Sequence, residues 1–292
     1  MAEREKPALL LTGAGGQLGR AVAAACAPAW RVIGPGRDVL DLARPETFLP
    51  LLREQRPAAV VNCAALTDTA RCEREPALAD AINARAPAAL AEACQAVGCY
   101  LVQISSNEVF DGAASQPYAE DAPTRPLSAY ARSKRAGEEF VLSAAPRSLV
   151  VRTAWLYGEG TQNFIARVLG WAARQPELSV VTDEVATPTA CTSLAAALAL
   201  CLRERPSGIL HVTNAGAASR FEWARAILRL SGEDPERVRP ARLADFPATA
   251  PKPPYSVLST ARAEQLGIQQ QPWHTVFARY MADRKEHAAS SA

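Results

Sequence analysis

Lysine is scarce in this 292-residue chain: Lys6, Lys134, Lys252 and Lys285 stand against 28 arginines. Histidine is scarcer, and His211, His274 and His287 are scattered with no H-E-x-x-H grouping, so no metal site is expected. The seven cysteines (Cys26, Cys63, Cys72, Cys94, Cys99, Cys191 and Cys201) include no C-x-x-C pair. An odd count without a framework, mostly in apolar surroundings, points to reduced buried thiols and a cytoplasmic location. The apolar stretch Ala195–Leu202 falls far short of the roughly 20 residues that span a bilayer and reads as a buried helix. Net charge is also lacking. With 32 basic and 30 acidic residues the balance is +2, which leaves no long-range field for nucleic acid or a membrane surface. The opening MAEREKPALLLTG puts charges before a short apolar run ending at glycine, the pattern of a first strand and not of a signal peptide.

What is present is an alternation of short apolar runs and helical patterns. Apolar residues make up 49% and charged residues 21%, which suits one large globular domain or a nucleotide domain with a smaller lobe. Strands are expected at Ala8–Thr12, Arg31–Ile33, Ala59–Asn62, Tyr100–Ser105 and Ser148–Arg152. Helices are expected at Gln17–Cys26, Pro45–Gln55, Pro76–Val97 and Ala129–Ala145. Such units predict an α/β fold with a doubly wound parallel sheet of the Rossmann type. Beyond Gly158 the pattern loosens into helices at Asn163–Arg174, Thr192–Arg205 and Phe221–Ser231 and a strand at Gly208–Val212. These fit a smaller mixed α/β C-terminal substrate lobe. The division runs 1–157 and 158–292, with a segment near 178–213 returning to the sheet. Arg237–Ser256, rich in proline, reads as an ordered loop over a pocket, and the tail after Arg284 as disordered.

Three motifs carry chemistry. Gly13, Gly16 and Gly19 stand between a strand and a helix, where backbone can approach a dinucleotide pyrophosphate. The second strand ends in Gly34-Pro35-Gly36-Arg37 with no acid before Asp38; Arg37, or Arg20 beyond the glycines, can meet a 2′-phosphate. This favours NADPH, with NADH as the alternative. Tyr130 and Lys134 lie one helical turn apart, so both project from one face. An ammonium beside a phenol favours the phenolate and lowers its pKa, which poises Tyr130 as a proton donor to a carbonyl. Lys134 can also reach the nicotinamide ribose, and Ser106 can donate a second hydrogen bond to the reacting oxygen. Small residues at Asn62-Cys63-Ala64-Ala65 let a cofactor lie across the sheet edge; Trp155 follows the last strand of the first half, either as a wall for a sugar or as core. Together these imply a nicotinamide-dependent reductase.

The segments TGAGGQLG, VNCAALT (61–67), INARAP (82–87), ISSNEVFDG (104–112), YARSK (130–134), VRTAWLYG (151–158), NFI (163–165), TPT (187–189) and YSVLST (255–260) resemble, in order, the dTDP-4-dehydrorhamnose reductase family. That family lies within the extended short-chain dehydrogenase/reductases. The resemblance implies NADPH-dependent reduction of the 4-keto group of a dTDP-linked 6-deoxyhexose, and allows a homodimer. It implies that Gly13, Gly16, Gln17, Leu18 and Gly19 hold the pyrophosphate and that Asp41 and Leu42 flank adenine. Ala64, Ala65 and Thr67 would line the cofactor, Ser106, Tyr130 and Lys134 would form the catalytic set, and Trp155 would pack on the sugar. Departures fall at the substrate: Asn107 and Glu108 stand where the family has Asp and Tyr, and Ser259 where it has an acid. Two other readings stay open here. One is a reductase of a different nucleotide-linked keto-deoxysugar. The other is a non-catalytic NADP-binding subunit similar to the regulatory partner of methionine adenosyltransferase.

Overall fold

Every residue of Ala8–Thr12 (β1) is buried, as a central parallel strand covered on both faces requires. The computed structural model describes residues 5–160, 163–246 and 249–290. Around β1 stand Arg31–Ile33 (β2), Ala59–Asn62 (β3), Tyr100–Ser106 (β4), Leu149–Thr153 (β5) and Gly208–His211 (β6). They form one sheet in the order β6-β5-β4-β3-β1-β2, parallel throughout.

Alternate side chains of the strands feed two cores. Leu9, Leu11 and Val102 meet Leu18 and Val22 of Gln17–Cys26 (α1). The same core includes Leu194, Leu198 and Leu202, whose helix, Cys191–Glu204, is named below. On the other face Leu10, Val60 and Val150 meet Phe48–Gln55 (α2), Ala86–Val97 (α3) and Ala129–Ala144 (α4). After β1 the chain first builds β2 on one side and then β3 on the other, so a crevice opens at the C-terminal ends of β1 and β3.

A third apolar cluster forms the lobe. It joins Phe164–Ala172 (α5), Arg220–Ser231 and Trp273–Ser290 through Ile165, Val168, Trp223, Ile227 and Phe277. Cys191–Glu204 (α6) and β6 pack with the main sheet, whereas Leu178–Val181 pairs with Val238–Ala241 in the lobe. The remaining lobe helices are α7 (Arg220–Ser231) and α8 (Trp273–Ser290). No helix among the described residues is long and apolar enough to cross a membrane.

Three expectations need correction. Pro76–Val97 is not one α-helix: a π-helical turn, Ala81–Arg85, separates Pro76–Asp80 from α3. Pro87 brings no N–H to that turn, and the Asn83 carbonyl lies against Gly137 of α4, where a Cβ would overlap it. Arg237–Ser256 is not wholly loop, because Val238–Ala241 adds a strand and Leu243–Asp245 a 3₁₀ turn. The backbone after Arg284 continues helically to Ser290, carried on by a helix already anchored at Val276, Phe277 and Met281. Residues 1–4, 247–248 and 291–292, which fall in the N-terminal, loop and tail expectations, lie outside the described residues.

Candidate active site

The glycine turn is shaped for close approach. Gly13 has φ +64°, and a Cβ there would stand 2.9 Å from the Ala64 amide nitrogen. A Cβ at Gly19 would overlap the Gly13 carbonyl. Gly16 caps α1 without a side-chain bond, and no acid stands in the first turn, so its leading amides suit an anion. Leu18 is buried in the core and can serve a ligand only through its backbone. Asn163 Nδ2 donates to Gln17 Oε1 at 3.2 Å and to the Gly158 carbonyl at 3.1 Å, tying the turn to the lobe. The Arg20 guanidinium is engaged by the carbonyls of Gly15 and Glu159. That places two backbone carbonyls on the guanidinium that was also offered for the 2′-phosphate role.

Arg37 fits that role better. Its side chain is 83% exposed, with Nε 3.5 Å from Asp41 Oδ1, a pair loose enough to rearrange around a phosphate. Asp41 Oδ1 also accepts from the Ala43 amide, and Leu42 is buried in the core. Ala64 and Ala65 are half-buried and Thr67 is exposed. The Ala64 amide donates to Thr12 Oγ1 at 3.2 Å, while Asn62 bridges Thr12 and Gln103 beneath the crevice. Asn83, overlooked in the sequence, clamps the same segment: it binds both the amide and the carbonyl of Leu66 at 2.9 Å and donates to Ser133 Oγ on α4 at 3.1 Å.

Ser106 ends β4, and Tyr130 and Lys134 lie one turn apart on α4. Ser128 caps α4, so Tyr130 lies in its first turn, facing the end of β4. The Ser106 hydroxyl interacts with the Tyr130 phenol. Lys134 is buried, and its Nζ donates to the Ile104 carbonyl at 2.7 Å. The pKa expectation fails for Tyr130. Burial, then the Glu108 carboxylate, push the phenol up, and only the Ser106 hydrogen bond opposes them. Lys134 spends its ammonium on Ile104 instead. The phenol is therefore a firmly protonated donor at neutral pH. Burial lowers Lys134 to about 8, against the opposing pull of Glu138.

Glu138 is a second residue that the motifs did not reveal. It lies one turn beyond Lys134, accepts from Ser105 Oγ, and holds Arg152 by Nε at 2.9 Å and Nη2 at 2.7 Å. Neighbouring Ser105 and Ser106 thus divide their labour between support and site. His211, 3.3 Å from Arg152 Nη1, is lowered to about 3 by burial and that guanidinium, so it stays neutral.

Asn107 and Glu108, expected to bind substrate, each hold a partner within the chain. Asn107 is buried, with Nδ2 donating to Ser256 Oγ at 2.6 Å, so it fastens the 252–256 segment to the site. Glu108 accepts from Lys252 Nζ at 2.8 and 3.1 Å. Trp155 has φ +42°, a strained backbone for a bulky residue. Its ring lies parallel to Trp223 with centroids 5.7 Å apart, and the Arg220 guanidinium stands 3.6 Å from the Trp155 centroid. Trp155 therefore belongs to an aromatic cluster at the lobe.

A family model described as "RmlD substrate binding domain" matches residues 7–286. The dTDP-4-dehydrorhamnose reductase of Streptomyces griseus is 40% identical over 276 residues, covering 92% of this chain and 91% of that protein. A Streptomyces antibioticus protein named "Probable dTDP-4,6-dihydroxy-2-methyloxan-3-one 4-ketoreductase" is 43% identical, covering 89% of each. The crystal structure of dTDP-4-dehydrorhamnose reductase from Bacillus anthracis in complex with NADP superposes with a TM-score of 0.91 at 31% identity, covering 96% of this chain and all of that one. With the glycine cradle, the Ser106–Tyr130–Lys134 cluster and these likenesses together, the chain belongs to the dTDP-4-dehydrorhamnose reductase family of the extended short-chain dehydrogenase/reductases.

Proposed function

We propose that this chain reduces the 4-keto group of dTDP-4-dehydro-L-rhamnose to give dTDP-L-rhamnose, with NADPH as reductant. The observation that carries the reading is the interaction of the Ser106 hydroxyl with the Tyr130 phenol, on a helix that also buries Lys134, together with a turn in which Gly13 and Gly19 leave no room for a Cβ. The bound nicotinamide supplies the hydride. Gly13, Gly16, Gln17, Leu18 and Gly19 hold its pyrophosphate by backbone; Arg37 serves the 2′-phosphate, Asp41 and Leu42 lie toward adenine, and Ala64, Ala65 and Thr67 line the crevice. Ser106 and Tyr130 orient the substrate carbonyl by hydrogen bonds to its oxygen. Tyr130 then gives its proton to that oxygen as negative charge develops there. The phenol is fully protonated beforehand, and the upward shift makes it a weaker acid, so the negative charge developing on the carbonyl oxygen must draw the proton across. Lys134 offers its ammonium toward the cofactor ribose and restores charge balance around the phenolate left behind. Trp155 walls the sugar, and Asn107 and Glu108 border it.

The lobe of α5, α7 and α8 covers the sugar, while the sheet with α1 to α4 and α6 holds the cofactor. The test is NADPH consumption with enzymatically prepared dTDP-4-dehydro-L-rhamnose, with dTDP-rhamnose identified as product. Rapid turnover supports the proposal. Absence of turnover, with NADPH still bound in a direct titration, removes this sugar as substrate.

A further inference from the structure

We propose that Lys252 receives the diphosphate of the nucleotide-sugar substrate, and that Glu108 is the partner that holds this lysine until the substrate arrives. The inference rests on the substrate reading above and adds a residue to it.

Lys252 is one of four lysines in the chain and is set in Pro251-Lys252-Pro253-Pro254. Proline fixes φ, so this segment presents its side chain from a stiff backbone. The segment is fastened just after the lysine. The Val185 amide donates to the Pro254 carbonyl at 2.8 Å, and the Ser256 amide donates to Val185 at 2.9 Å. Asn107 donates to Ser256 Oγ, one residue after catalytic Ser106. The ammonium of Lys252 is thereby brought to Glu108, two residues beyond Ser106, with its side chain 25% and that of Glu108 16% exposed. The Glu108 charge is felt by the Tyr130 phenol, so the ion pair stands near the reacting oxygen but set back from it.

The chemistry of the substrate asks for a cation there. A carbonyl at C4 held by Ser106 and Tyr130 leaves C1 across the pyranose ring, and C1 carries the diphosphate. Other cations around the site are committed. Lys134 donates to Ile104, Arg20 to Gly15 and Glu159, and Arg152 to Glu138. Arg220 donates through Nε and Nη2 to Glu184 and is stacked on Trp155, which fixes its plane. Lys252 differs because a compact ammonium on a flexible stem can exchange one oxygen partner for another. The diphosphate brings more negative charge than the carboxylate it displaces.

The experiment is calorimetric titration of dTDP into the full-length, NADP-saturated protein and into Lys252→Met and Glu108→Gln variants. Lys252→Met should weaken dTDP by about tenfold to a hundredfold. NADPH affinity, measured alongside, should hold and report an intact fold. Glu108→Gln should bind dTDP at least as tightly as the unmodified protein, since it frees the lysine. Equal dTDP affinity in the unmodified protein and Lys252→Met overturns the assignment. Weaker binding by Glu108→Gln also overturns it, and does so even where Lys252→Met fails to fold. Failure of the unmodified protein to bind dTDP would instead remove the substrate reading itself, and this inference with it.

Discussion

The Lys134 ammonium donates to the Ile104 carbonyl at 2.7 Å, which pins the helix bearing Tyr130 to the strand bearing Ser106. One side chain therefore ties together the two elements that carry the proposed reacting pair. Lys134→Met should lower both turnover and NADPH affinity, measured by steady-state kinetics and direct titration. A variant that retains both would show that the lysine only packs.

The same lysine predicts a pH limit. Its folded value of about 8 lies below the ordinary 10.5, through burial opposed by Glu138 and Cys63. A lowered lysine pKa means the buried charge opposes folding below about pH 8, and that opposition fades as pH rises toward 10.5. Activity runs the other way, because the useful ammonium is lost as pH rises through about 8. The kcat/KM profile should fall on that alkaline side, and Glu138→Gln should move the fall to lower pH. An unmoved limb would disconnect Glu138 from Lys134.

Glu138 and Arg152 are fully buried and bonded by two charge-assisted contacts. Glu138→Ala strands a buried guanidinium and should destabilise the chain by about 3–5 kcal/mol, read from urea unfolding. Glu138→Leu combined with Arg152→Met should lose less than the single change, because neither charge is then left alone. A single-variant loss no larger than about 1 kcal/mol, the scale of a surface pair, would contradict the buried assignment.

Much of this was legible in the sequence, for definable reasons. The buried strands β1, β3, β4 and β5 and the glycine turn announce themselves because buried parallel strands are largely apolar runs and because Gly13 and Gly19 leave no room for a side chain. Tyr130 and Lys134 stand out through helical spacing and the scarcity of lysine. Glu138 and Arg152 did not, since a lone acid and one arginine among 28 carry no local signal. Lys252 was hidden for another reason: its partner Glu108 lies 144 residues away, and only the fold brings them together. Asn83 could have been found, because it stands inside a quoted segment four residues before Pro87, whose missing N–H marks a break in the helix. The direction of the Tyr130 shift was also out of reach, since burial and the Glu108 charge are properties of the assembled site.

Arg37, proposed to receive the 2′-phosphate, has Asp41 at 3.5 Å as its only described ion-pair partner. Arg37→Ala should weaken NADPH by about tenfold or more while changing NADH little, measured by competitive titration. Equal losses for both nucleotides would take Arg37 out of phosphate recognition.

The central claim is that Tyr130 is the proton donor. It is tested most directly by comparing NADPH consumption on dTDP-4-dehydro-L-rhamnose by the unmodified protein and by Tyr130→Phe, with NADPH affinity measured for each. The account predicts a loss of turnover of about 10²–10⁴-fold with cofactor affinity nearly intact. Turnover by the phenylalanine variant at the unmodified rate would contradict it.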